Sequence, residues 1–328
     1  MQLLSQNPKM GKEVNFMKFK NWLDIWLEKY VKHSVKPRTY INYGGMIEKH
    51  IKPKLGDYEL EELSPLVLQN FMLEEIEHGN LKTGGYLATN TVVILVNLLK
   101  LVIGQAKVYE VTDKDNTGKI RCPFIEATKV TAFERDEQEK LEKYCLRSKK
   151  TNHLGIVVCL YTGLRIGELL ALCWSDIDLK NGIMSISKAA YQANVTGKFG
   201  IVVDTPKTKT STRLIPLPKN LVALLRVAKK NSKSKYVIST RTGGMVGTRS
   251  YQKTFELIQK KLHIPHKNFH ALRHTFATRA LEVGMDVKTV SEILGHKNPL
   301  ITLSRYAHSL MSHKRMMMNK LAKTLVAS

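Results

Sequence analysis

The 328-residue chain is short of cysteine, of acidic residues and of long apolar runs, and each shortage excludes something. Its four cysteines, Cys122, Cys145, Cys159 and Cys173, show no C-x-x-C spacing, and Cys159 and Cys173 sit in apolar surroundings. They read as reduced packing residues of a cytoplasmic protein, not as disulfides or zinc ligands. No apolar stretch reaches the length of a membrane span, since the strongest, Val92 to Ile103, is interrupted by Asn97 and Lys100. The N-terminus lacks a compact apolar segment with a small-residue cleavage site, so no secretory signal is expected. Internal repeats and low-complexity tracts are missing too.

The acidic shortage says most. Against 28 Asp and Glu there are 52 Lys and Arg, a formal net charge of +24. Such a surplus repels itself unless a polyanion neutralises it, and without a membrane anchor the expected polyanion is nucleic acid. Composition alone leaves a ribosomal protein, a repressor and a nuclease in play. A hydrophobic share of 43% excludes wholesale disorder, and the length suits roughly two domains of about 100–200 residues each.

Hydrophobic periodicity divides the chain. Residues 1–15 are polar and patternless, a flexible tail. Phe19, Trp22, Leu23, Trp26, Leu27 and Tyr30 follow the i, i+3, i+4, i+7 rule of an amphipathic helix. A second helix carries Tyr40, Tyr43, Ile47 and Ile51 and is expected to stop at Pro53. Ser64-Pro65 supplies an N-cap followed by Pro at the first helical position, opening a third helix through Met72. A fourth runs from Thr91 to about Val108, which makes residues 16–110 a small helical bundle. Charged and small residues then mark 111–130 as a linker. From Thr131 to 306 a second domain is expected, helical through Lys143 and over Leu154 to Tyr161. Short strands follow at Ile183 to Ile186 and Ile201 to Val203, and Arg213 to Leu217 ends a further one. Helices return over Asn220 to Lys230, Gly247 to Leu262, Phe269 to Val283 and Val287 to Leu294. The fold class is mainly α with a small antiparallel β-sheet (α+β), followed by a tail over 307–328.

Four short patterns carry chemistry. Gly163 suits the left-handed end of one helix and Ile166 begins the next, so Arg165 lies near a helix N-terminus, where an anion is already favoured. Glu168, three residues on, shares its side and can orient the guanidinium. In His270-Ala271-Leu272-Arg273-His274, His270 and Arg273 are i and i+3 on a helix and can converge on one group of oxygens. A guanidinium fork matches phosphate geometry better than an ammonium does. In Leu294-Gly295-His296, Gly295 closes a helix and presents His296 in a turn. Tyr306 lies ten residues further on, in Ser304-Arg305-Tyr306-Ala307-His308.

The order Arg–Glu, hairpin Lys, His-x-x-Arg, Gly-His and Tyr resembles the tyrosine recombinase (phage integrase) family, of the mobile-element integrase type. The resemblance covers about Thr131 to His308, and the aromatic first helix with Lys54-Leu55-Gly56 resembles the family's core-site-binding domain. It implies that Tyr306 attacks the scissile phosphate of double-stranded DNA, forming a 3′-phosphotyrosyl link and releasing a 5′-hydroxyl. The link retains the phosphodiester energy, so no nucleotide cofactor is needed. Arg165 and Arg273 would clamp the non-bridging oxygens, making a metal unnecessary. His270 and His296 would donate hydrogen bonds and assist proton transfer at Tyr306. The family's hairpin lysine, which protonates the leaving oxygen, falls on Lys207, with Lys209 the alternative.

From the family also follow four protomers exchanging strands through a Holliday junction and a C-shaped clamp around DNA. DNA-bending or excision accessory proteins and a tail swapped between protomers belong to the same expectation. Residues 1–15 are too short for the additional arm-binding domain of many integrases. Integration and excision of a phage or mobile element is the leading reading. An Xer-like resolvase of chromosome or plasmid dimers, a type IB topoisomerase and a DNA-binding relative without the reaction are the alternatives.

Overall fold

A computed structural model describes residues 17–125, 132–148, 150–195, 198–204, 212–296, 298, 315 and 317–322. The chain separates into two compact units, Met1–Ala127 and Thr128–Ser328. Expected features that lie outside the described residues are the tail 1–15, Lys207 and Lys209, Tyr306 and most of 307–328.

The first unit is helical. α1 (Phe19–Ile25) runs into a π-helical segment, Trp26–Val31. α2 (Pro37–Met46) likewise passes through a π-helical segment, Ile47–Ile51, into α3 (Lys52–Leu55). Pro53 was expected to stop this helix, yet the chain stays helical to Leu55. It sits in the first turn of the segment that follows the wider π turn, where a missing N–H costs least. α4 (Pro65–His78) begins as expected, with Ser64 Oγ accepting from the Val67 N–H at 3.3 Å.

α5 (Thr89–Val108) corrects one expectation. Its 20 residues are long and apolar enough to cross a membrane, because flanking turns extend the Val92–Ile103 run. Its buried residues Val92, Leu95, Val96, Leu99, Val102 and Ile103 nevertheless belong to the unit's core with Phe19, Trp22, Trp26 and Phe71. Trp22 Nε1 donates to the Val102 carbonyl at 3.1 Å, and Trp26 Nε1 donates to Gln105. Buried indoles keep their N–H groups satisfied in this way. Residues beyond α5 are fastened to the same unit: Ile120 enters its core, and Asn116 Nδ2 donates to the Leu63 carbonyl at 3.1 Å.

The second unit is built round α7 (Thr151–Thr162), which is apolar on all sides and almost wholly buried. α6 (Arg135–Leu146) packs beside it; the helical pattern expected from Thr131 begins at Arg135, with Glu137 accepting from the Glu134 N–H at 2.8 Å. α8 (Ile166–Ala171) leads into two antiparallel sheets where one was expected. β1 (Ile177–Asp178), β2 (Ile183–Ile186) and β5 (Arg213–Pro216) form one, with β2 in the middle. β3 (Ala189–Val195) and β4 (Lys198–Asp204) form a separate hairpin. In β5, Arg213 and Ile215 are buried while Leu214 and Pro216 face outward, the period-two alternation of a half-covered strand. α9 (Lys219–Lys230), α10 (Thr248–Lys261), α11 (His270–Glu282) and α12 (Val287–Leu294) complete the unit. α11 packs on both α7 and α12.

The cysteines are all free. Cys145 and Cys159 are buried, and burial pushes the Cys145 thiol up to about 12. Among the described residues no group of His, Cys, Asp and Glu is placed to hold a metal ion.

Candidate active site

Two left-handed glycine turns organise the site. Gly163 ends α7 at φ 64°, and its N–H bonds the Cys159 carbonyl at 2.9 Å. Gly295 ends α12 at φ 67°. The Gly295 N–H reaches the Glu292 carbonyl, and the His296 N–H reaches the Ser291 carbonyl, both at 3.0 Å. These two bonds make a Schellman ending. A helix leaves its last four carbonyls without intrahelical donors, and the Schellman bonds satisfy only Ser291 and Glu292. Ile293 and Leu294 remain.

Arginines take them. Arg213 Nε donates to the Ile293 carbonyl at 2.6 Å, and Arg273 Nη2 donates to the Leu294 carbonyl at 2.8 Å. Arg165 adds longer bonds, from Nη1 to Leu294 at 3.4 Å and from Nη2 to the Gly295 carbonyl at 3.3 Å. Arg273 is 1% exposed, and its Nη1 donates to the Gly163 carbonyl at 2.9 Å. It thereby ties the end of α7 to the end of α12. Three guanidiniums thus meet at the negative pole of one helix, where cations are favoured.

Glu168 keeps them from simple repulsion. Arg165 is the N-cap of α8, and its N–H donates to Glu168 Oε2 at 3.0 Å. Arg165 Nη1 donates to Oε1 at 2.8 Å, so the i, i+3 pairing expected from sequence is present. Arg213 grips the same carboxylate with both Nη atoms, at 3.1 and 2.8 Å. Burial pushes the Glu168 carboxyl up, but the hydrogen bonds and charge of Arg213, and then Arg165, outweigh it and hold the group at about 2. One carboxylate against three guanidiniums leaves the cluster positive. The Arg165 side chain, 42% exposed, presents part of that charge to solvent. Such a site attracts an anion that brings a fork of oxygens, as a phosphodiester does.

Arg165, Glu168 and Arg273 are therefore brought together, with the turn of His296 between them. His270 lies at the exposed first position of α11, its ring 4.6 Å from that of the buried His274. Lys207 and Tyr306 lie outside the described residues. Sequence reasoning missed Arg213, which it places only in the stretch that ends a strand. The available signal was its alternation with Ile215, which places a charged residue on a buried face and so demands a partner.

The class these features define is a phosphodiester-directed protein: basic, in two units, with guanidiniums gathered at a helix end in the second. Residues 131–313 match the Phage integrase family, and residues 18–74 match the phage integrase N-terminal SAM-like domain. The first match alone covers more than half of the sequence, and the chain belongs to the phage integrase family of tyrosine recombinases. Tyrosine recombinases are DNA strand-exchange enzymes.

The chain is 29% identical over 318 residues to a "Tyrosine recombinase XerC-like" protein of Caldanaerobacter subterraneus subsp. tengcongensis, covering 89% of this chain and 79% of that protein. It is 30% identical over 211 residues to the transposase from transposon Tn916 of Enterococcus faecalis, covering 59% of this chain and 51% of the relative. The chain thus spans about half the length of that transposase. Its fold is that of the Tn1549 transposon integrase solved in complex with transposon right end DNA, with a TM-score of 0.77 at 22% identity. That match covers 93% of this chain and 100% of the integrase chain. A lambda integrase tetramer bound to a Holliday junction matches with a TM-score of 0.68 at 17% identity, over 91% of this chain and 80% of that one.

Proposed function

We propose that the chain is an active site-specific recombinase that integrates and excises a phage or mobile element. It cuts and rejoins double-stranded DNA through a 3′-phosphotyrosyl intermediate. The observation that carries the proposal is the meeting of Arg165 and Arg273 at the end of α12, beside the turn that presents His296. Tyr306 Oη attacks the scissile phosphorus and the bond to the 5′-oxygen breaks. His270 and His296 assist loss of the tyrosine proton, and Lys207, or alternatively Lys209, protonates the leaving oxygen. Arg165 stabilises the charge on the non-bridging oxygens from its exposed side, and Arg273 joins it by turning from the Gly163 and Leu294 carbonyls toward the phosphate. A second attack, by a 5′-hydroxyl on the phosphotyrosine, reseals the strand and needs no energy source.

In the same reading, residues 16–110 grip the site from the helical domain and residues 131–306 carry the reaction, joined by 111–130. The tail 307–328 packs on a neighbouring protomer. Most of the remaining cations neutralise phosphates and set affinity. Four protomers work on two sites through a Holliday junction, in the cytoplasm and on the nucleoid, with DNA-bending or excision proteins as partners. The similarity to a XerC-like protein over 89% of the chain favours one second reading, a resolvase of chromosome or plasmid dimers.

A nicked suicide substrate spanning the ends of the element that encodes the chain tests the proposal. A covalent 3′-adduct is expected from the wild type and none from Tyr306→Phe. An adduct that survives the substitution, or a bound site that yields no adduct, overturns it. Cutting at a chromosomal dimer-resolution site in preference to the element ends selects the second reading.

A further inference from the structure

Arg213 has no part in the reaction as proposed, yet every nitrogen of its guanidinium is engaged within the site. Its side chain is 7% exposed and that of its partner Glu168 is 9% exposed. Burying such a pair costs desolvation energy that a well-packed apolar pair of equal volume avoids, so fold stability alone does not account for it. The geometry does. Glu168 Oε1 is shared, taking Arg213 Nη1 at 3.1 Å and Arg165 Nη1 at 2.8 Å. The two-pronged grip of Arg213 fixes the carboxylate plane, and that plane fixes Arg165. The third contact, Nε to the Ile293 carbonyl at 2.6 Å, holds α12 directly before the carbonyls that take Arg273 and Arg165. The turn itself lies against the same guanidinium: a Cβ on Gly295 would stand 3.0 Å from Arg213 Nη1.

We infer that Arg213 is a positioning residue for strand cleavage: through Glu168 it aims Arg165, and through the Ile293 carbonyl it sets the Gly295–His296 turn. It acts on the scissile phosphate only through these groups. Lysine cannot replace it, because one ammonium cannot supply a two-pronged grip and a third bond in another direction. The inference rests on the recombinase reading, and the experiment separates the two.

Single-turnover adduct formation is measured for the wild type, Arg213→Lys and the neutral pair Arg213→Met with Glu168→Gln, together with site affinity and thermal midpoint. Two suicide substrates are used, one with the ordinary scissile phosphate and one with a methylphosphonate there. The neutral methyl group removes a charge that Arg165 would otherwise stabilise. Arg213→Lys is expected to hold DNA within about threefold of wild type while forming adduct about 10²-fold more slowly, the usual cost of a misplaced group. On the methylphosphonate the deficit shrinks to less than about tenfold, since an aimed guanidinium matters less there. The neutral pair is expected to recover the thermal midpoint relative to Arg213→Met alone and to remain slow. Equal slowing on both substrates, wild-type rates in Arg213→Lys, or full rates in the neutral pair overturns the inference and leaves the recombinase reading intact. Failure of the wild type to form any adduct overturns the reading and the inference together.

Discussion

Glu168→Gln keeps the shape of the side chain and removes the charge that Arg165 and Arg213 share. The carboxyl is held at about 2 in the folded protein against an ordinary value of 4.5. That separation is worth about 3 kcal/mol, at about 1.36 kcal/mol for each unit. Breaking a buried ion pair from one side costs about 3–5 kcal/mol by a separate route, because the other partner is left uncompensated. The side chain is too deeply buried for solvent to screen much of this. In a domain of this size, about 3 kcal/mol lowers the thermal midpoint by about 6–12 °C.

The pH dependence follows from the direction of the shift. A carboxyl depressed on folding stabilises fully above its unfolded value near 4.5 and loses that contribution as pH falls through its folded value near 2. Urea unfolding of wild type and variant at pH 7, 5, 4 and 3 reads it out. The wild type should lead by about 3 kcal/mol at pH 7 and 5, and the lead should shrink by about 1 kcal/mol between pH 4 and 3. A lead below about 1 kcal/mol at pH 7, or one that stays flat from pH 5 to 3, refutes the account of the arginine cluster.

Other perturbations address separate parts of the site. Gly163→Ala places a Cβ 2.6 Å from both Leu294 Cδ2 and Phe276 Cδ1 at a φ of +64°. Left-handed strain and overpacking together should cost about 2–5 kcal/mol in chemical denaturation. Adduct formation should fall too, because the Gly163 carbonyl holds Arg273. Lys207→Ala should lose about 10²–10⁴-fold in cleavage if that lysine is the general acid, and a substrate with sulfur at the 5′-bridging position, which leaves without a proton, should restore it. Rescue of Lys209→Ala instead transfers the role to Lys209. Cleavage by the wild type should persist in excess chelator, since the arginines supply the electrostatic stabilisation; loss of cleavage there assigns that role to a metal ion.

What could be read from sequence was the local part. Gly163 and Gly295 end helices because a left-handed residue must be glycine-like, and Arg165 with Glu168 lies within one turn of a helix. Caps, turns and i, i+3 neighbours leave their mark within a few residues. The grip of Arg213 on Glu168 spans 45 positions, and the bond from Arg165 to the Leu294 carbonyl spans 129. No local pattern carries such pairings; they appear only when β5 lies beside β2 and α12 packs against it. The helix expected to stop at Pro53 shows the opposite failure, a strong local signal overridden when a π turn moved the proline to a tolerant position. Tyr306 and Lys207 follow from the order of motifs along the chain, which no helix or strand period carries.

The most direct test is to trap the protein on its own recombination site, digest the complex and identify by mass spectrometry the peptide that carries the nucleotide. The expected result is a single peptide containing Tyr306, with the 3′-phosphate esterified to its phenolic oxygen. A nucleotide on any other residue, or a cleaved site with no covalent protein, contradicts the assignment of Tyr306 as the nucleophile served by Arg165, Arg273 and His296.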